Sequence, residues 1–126
     1  MRVGAVITDL MLYSRIESAA SAAGALLVRV DTPYGLPLSA EIDLLLVDWS
    51  SRCPDWADAI AAWRGEAANR VIAFGRHTDL EAHAAARSAG IGPMWARSKL
   101  VANLRSLFQA DSPVAAPTSG RDERGA

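Results

Sequence analysis

Four apolar residues in a row, Leu44-Leu45-Leu46-Val47, lie between Asp43 and Asp48, and this segment constrains the fold more than any other. Successive side chains of a strand point to opposite faces, so an unbroken apolar run predicts a strand covered on both sides. Such coverage is typical of parallel sheets, whose crossover connections place helices above and below the strands. Asp48 then stands at the carboxyl edge of the sheet, followed by the loop Trp49-Ser50, and that edge is where open α/β sheets carry out their chemistry.

The remaining chain alternates in the same sense. Val3 to Thr8 reads as a first strand, and Leu10 to Ala23 carries Leu12, Ile16, Ala19, Ala20 and Ala23 at helical spacing until Gly24. Ala25 to Val30 reads as a second strand, apolar like the third and expected to be covered on both faces. Pro54 suits the first turn of a helix whose Trp56, Ile60 and Trp63 share one face before Gly65. Arg70 to Phe74 is a fourth strand, and Thr78 with Glu81 has the spacing of a capping box for an Ala-rich helix that Gly90 ends. Pro93 to Ala96 is a brief fifth strand, and Ser98 is placed to cap a last helix that turns Leu100, Val101, Leu104, Leu107 and Phe108 inward. The predicted class is α/β, one doubly wound parallel sheet with right-handed crossovers and helices on both faces. Between Asp31 and Ile42, the residues Pro33, Gly35 and Pro37 oppose a helix, so the second helix is expected to be reduced.

Composition narrows the function. With 126 residues, 51% of them hydrophobic, the chain supports one domain, expected over residues 1–108. The tail, residues 109–126, loses apolar periodicity and gathers Pro, Ser, Gly and charge, which predicts disorder. A formal charge of -1 supplies no basic field, so nucleic acid is not expected as a partner. Cys53 is the only cysteine, which excludes an internal disulfide and fits a reducing cytoplasm. Asp9 interrupts the first apolar run before a signal core or membrane span is complete, so no membrane association is expected. His77 and His83 are six residues apart and do not share a helical face, and no Ser/His/Asp order, nucleophile elbow or acid/base carboxylate pair is present. The chain is therefore not expected to be an enzyme.

Ile42-Asp43-Leu44-Leu45-Leu46-Val47-Asp48 has the spacing of the third strand of bacterial response regulator receiver domains, and Ala85-Ala86-Arg87-Ser88-Ala89-Gly90 echoes their helix end before the fifth strand. From about Arg2 to Phe108 the chain resembles that chemotaxis-type, flavodoxin-like family. The resemblance implies five parallel strands in the order 2-1-3-4-5. It places Asp48 at the phosphoacceptor position and Asp9 on the second member of the metal-binding acidic pair. The first member is replaced by Thr8, the hydroxyl residue ending the fourth strand by Gly75, the Lys-Pro pair by Arg97 and Ser98, and the switch aromatic by Met94. The chain thus resembles the divergent pseudo-receivers.

Three functions stay open on these residues. The first is a stand-alone receiver-like signalling module that acts by protein–protein interaction, or by self-association, through the last strand and helices, without normal phosphorylation cycling. Arg97 is then expected to hold an ionised Asp48 with two hydrogen bonds. The second is a receiver phosphorylated on Asp48 by a histidine kinase of a two-component system. The third is a flavodoxin-like binder of small anions using Arg76, Arg97 and the turn after Gly75. No cofactor is required, and magnesium, with Asp9 and Asp48 as its ligands, is expected to bind weakly if at all. Trp49, next to Asp48, and Trp95, on the edge strand, are the aromatic residues that could mark a contact surface, with core packing the expected role of Trp95.

Overall fold

The computed structural model describes residues 1–65, 67, 69–91 and 93–109. Five parallel strands, β1 (Arg2–Val6), β2 (Leu26–Val30), β3 (Leu44–Asp48), β4 (Arg70–Gly75) and β5 (Trp95–Ala96), form one sheet in the order β2-β1-β3-β4-β5. The helices are α1 (Leu10–Ala23), α2 (Trp56–Arg64), α3 (Leu80–Ser88) and α4 (Arg97–Gln109). Where a helix between β2 and β3 would lie, the chain makes only two short 3₁₀ turns, Pro33–Gly35 and Ser39–Glu41. The prolines anticipate this reduction.

The apolar run of β3 is buried along its whole length because the sheet carries a core on each side. Leu44 and Leu46 join Val3, Ala5, Ile72 and Phe74 against Leu12 and Ile16 of α1 and Leu100, Leu104 and Phe108 of α4. Leu45 and Val47 point the other way, with Val6 and Ala73, into Trp56 and Ile60 of α2 and Ala82 and Ala86 of α3. β2 departs from the expected double coverage, since Leu26 and Val28 are exposed on one face. The missing helix is the reason: the turns that replace it are too short to roof that edge.

Local signals decide the element ends. Asp9 caps α1, its carboxylate accepting from the N–H of Met11 and Leu12, and Gly24 closes the helix in the left-handed conformation at φ 73°. At α3 the expected Thr78 cap is displaced by one residue. Asp79 accepts the N–H of Ala82 instead, because an Asp carboxylate at this position outcompetes the Thr hydroxyl before it. Ser98 is likewise not a cap, for α4 begins directly at Arg97 and leaves Ser98 inside its first turn. Pro54 precedes α2 rather than entering it, Val101 is only partly buried, and β5 is shortened to Trp95–Ala96. Gln109 ends α4, and the remainder of the predicted disordered tail lies outside the described residues.

Candidate functional site

Parallel register brings the carboxyl ends of β1, β3 and β4 to one edge. Val6 pairs with Val47, Asp48 with Phe74 and Gly75 with Ala96, so the chain leaving each strand enters the same small space. Thr8, Asp9, Asp48, Ser50, Ser51, Gly75, Arg76 and Arg97 line a cleft there of about 330 Å³.

Asp48 is only 3% exposed. One of its oxygens accepts the backbone N–H of Ser50 at 3.2 Å and the Ser50 hydroxyl, and the other lies 3.5 Å from the hydroxyl of Ser51. An Asp followed two residues on by a hydroxyl residue is a local turn device, in which the carboxylate serves the backbone of its own loop. These two serines complete the site and were not among the predicted residues; the Asp-Trp-Ser-Ser order was the available signal.

Asp9 is used on both oxygens. One caps α1 through Met11 at 3.0 Å and Leu12 at 3.2 Å, and the other accepts from the Arg97 guanidinium at 3.0 Å. These partners hold its pKa below the ordinary Asp value, the backbone N–H of Leu12 first and the Arg97 charge next. The same Arg97 nitrogen is 3.9 Å from the second oxygen of Asp48. The expected two-bond grip of Arg97 on Asp48 is therefore not what forms. α4 starts at Arg97 itself, and the short turn on Ser50 already takes one Asp48 oxygen, so the guanidinium bonds Asp9 and faces Asp48 at the edge of ion-pair range.

A side chain at position 75 would crowd Met94, which already occupies the space beside Gly75. A Cβ there would lie 3.2 Å from the Met94 sulfur and 3.5 Å from the Ser50 nitrogen. Met94, buried beside it, and Gly75 are thus a matched pair. Arg76 is exposed at the rim and makes no ion pair among the described residues.

Two predicted residues fall outside the cleft. Trp49 is buried in the core, its indole N–H donating to the Ala82 carbonyl at 3.1 Å, so it is no contact surface. Its large apolar ring fills the space between β3 and α3. Ser98 is exposed on α4, away from the cleft lining. Trp95 is half-buried, with the Lys99 ammonium 4.4 Å from its ring centre. His83 donates its ring N–H to the His77 carbonyl at 3.0 Å, and no group of three or more His, Cys, Asp or Glu side chains capable of holding a metal occurs among the described residues.

Neither a family profile nor a curated protein matches the sequence. Solved structures do match. A response regulator from Hahella chejuensis superposes with a TM-score of 0.70 at 15% identity, over 90% of this chain and 96% of the other. The fold is that of a response regulator receiver. A receiver domain protein from Clostridium thermocellum aligns at TM-score 0.61 and 13% identity, over 90% and 98% of the two chains. A response regulator in red light signaling of R. palustris aligns at 0.59 and 18%, over 94% and 99%. Identities this low carry the receiver fold and leave the chemistry to the residues above. No helix among the described residues is long and apolar enough to cross a membrane.

Proposed function

We propose that this chain is a receiver-like signalling module that binds another protein in the cytoplasm and does not pass through a phosphorylation cycle. The observation that carries the reading is the position of Arg97, bonded to Asp9 at 3.0 Å and 3.9 Å from Asp48. Phosphoryl transfer to a carboxylate needs a metal ion to neutralise the oxygens of the transferring group. The donor set does not fit magnesium. Thr8 supplies no carboxylate, Asp9 has both oxygens engaged, and the guanidinium already supplies positive charge between the two acids. An Arg keeps its charge at every accessible pH, so this neutralisation is permanent.

The same end of the molecule provides the docking face. β5 and α4 present Trp95 with Lys99 across its ring, while the buried Met94 packs against Gly75 and couples that face to the cleft. A partner that recognises this surface meets a single state of it, set by Arg97, and the module acts without a cofactor and without catalysing a reaction.

Intact-mass measurement after incubation with acetyl phosphate and magnesium tests the reading. The unmodified protein is expected to gain no phosphoryl mass, and the combined Thr8→Asp and Arg97→Lys variant to gain one group that Asp48→Asn removes. Labelling of the unmodified protein at Asp48 would overturn the proposal in favour of a phosphorylated receiver.

A further inference from the structure

β2 is the outer strand of the sheet, and its sequence and surroundings leave both its edge and one of its faces open. Two hydrogen bonds fix which backbone groups face outward. The N–H of Leu26 donates to the Met1 carbonyl and the N–H of Ile7 to the Val30 carbonyl, so even-numbered residues of β2 direct their backbone groups at β1. The period of two then turns the N–H and C=O of Leu27 and Arg29 to the open edge.

The even-numbered side chains lie on the face left bare by the missing helix. Leu26 is 69% and Val28 44% exposed, with Tyr34 at 66% and Leu38 at 71% beyond them. An apolar groove of about 420 Å³ passes between Leu26, Val28, Gly35, Pro37 and Ile42. A charged residue often blunts an edge like this one. Arg29 does not, because its guanidinium folds back onto Asp31 at 2.8 Å and the Ile7 carbonyl at 3.1 Å, above the ring of Tyr13.

We propose that the outer edge of β2 pairs antiparallel with β2 of a second copy of this chain, about a two-fold axis at Val28. The outward groups set the register. Leu27 of each copy exchanges both backbone bonds with Arg29 of the other, Val28 faces Val28, and Leu26 faces Val30. Opposed residues of an antiparallel pair share a face, so Leu26, Val28 and Val30 continue one apolar strip from copy to copy. On this face the strand is self-complementary, since its even-numbered positions Leu26, Val28 and Val30 are all apolar and read the same in either direction, and a second copy therefore fits it without any further partner. The four exposed side chains offer only a few hundred Å², short of the roughly 800 Å² per partner of a standard interface. The dimer is accordingly weak and concentration-dependent, and it lies on the opposite edge of the sheet from β5.

Sedimentation equilibrium of the full chain from micromolar to near-millimolar concentration tests this. The mass should rise from monomer toward dimer, and Val28→Lys, which sets two ammonium groups against each other across the axis, should remain monomeric with an unchanged unfolding midpoint. A register test complements it. In a Cys53→Ser background, Val28→Cys should form a disulfide dimer with oxidised glutathione as electron acceptor, because non-hydrogen-bonded opposed residues have Cα atoms about 4.5 Å apart. Leu27→Cys, facing Arg29, should cross-link far more slowly. A chain that stays monomeric throughout, a dimer that Val28→Lys leaves intact, or equal cross-linking at the two positions would overturn the proposal.

Discussion

Two regions depart from the receiver pattern, the cleft at the end of β3 and the bare edge at β2, and they handle the loss differently. In the cleft each missing group is replaced from within: Arg97 lies against Asp9, the turn serines bond Asp48, and Met94 fills the space beside Gly75. At β2 the lost helix is replaced by two short turns, and Leu26 and Val28 remain exposed. A polar site that satisfies itself has little need of a ligand, whereas an apolar edge without a roof gains free energy when another surface covers it. The contrast supports the proposed action through contact surfaces.

The sharpest separation of the two regions is in stability. Leu46 is fully buried at the centre of β3, and Leu46→Ala should cost about 2–5 kcal/mol, the range for deleting a packed leucine from a core. Val28→Ala should stay within about 0.5 kcal/mol, as for ordinary surface changes. Urea denaturation of both variants at low protein concentration measures the difference, and comparable losses would mean that β2 is covered in the monomer. Arg97→Ala should fall between them at about 1 kcal/mol, since it leaves the buried Asp48 without a nearby cation while breaking an exposed pair with Asp9. A neutral result would show that the serine turn alone satisfies Asp48.

Acid gives the smallest effect. Asp9 and Asp43 both have depressed pKa values, Asp9 through the Leu12 N–H and Arg97, Asp43 through the Arg2 guanidinium and backbone N–H. A carboxyl whose folded pKa lies below its unfolded value stabilises the fold above the unfolded value, about 3.9 for Asp. That contribution is lost as pH falls through the folded values. The unfolding midpoint should therefore hold from neutral pH to about 5 and drop below about 4, with a shallower drop in Asp43→Asn. A midpoint that rises on acidification would contradict the assigned partners.

Much of this architecture is legible from the sequence. The unbroken run at Leu44 to Val47, Gly24 after α1 and the proline-spaced segment before β3 each specify a local outcome through sterics or burial, and each has its counterpart in the fold. The approach of Asp9 and Asp48 follows from the adjacency of β1 and β3, an order the receiver resemblance implies, whereas Arg97 reaches them from the end of β5, two strands beyond β3. What is not legible depends on competition between neighbours. Asp79 displaces Thr78 as a cap, Ser50 takes the Asp48 oxygen that Arg97 was expected to hold, and β2 appears doubly covered until the roof over it is seen to be missing. Trp49 illustrates the same limit, since only the packing of α3 against β3 buries a ring whose place in the sequence suggests a loop.

The central claim is that Arg97 occupies the electrostatic place of a metal between Asp9 and Asp48. Magnesium titration followed by the backbone amide resonances of Asp9, Asp48 and Gly75 tests it most directly, using the unmodified chain and Arg97→Ala. The account predicts no saturable shift in the unmodified chain up to millimolar magnesium, and saturable shifts at these amides once the guanidinium is removed. Saturation of the unmodified chain at sub-millimolar magnesium, or an Arg97→Ala variant that binds no better, would contradict it.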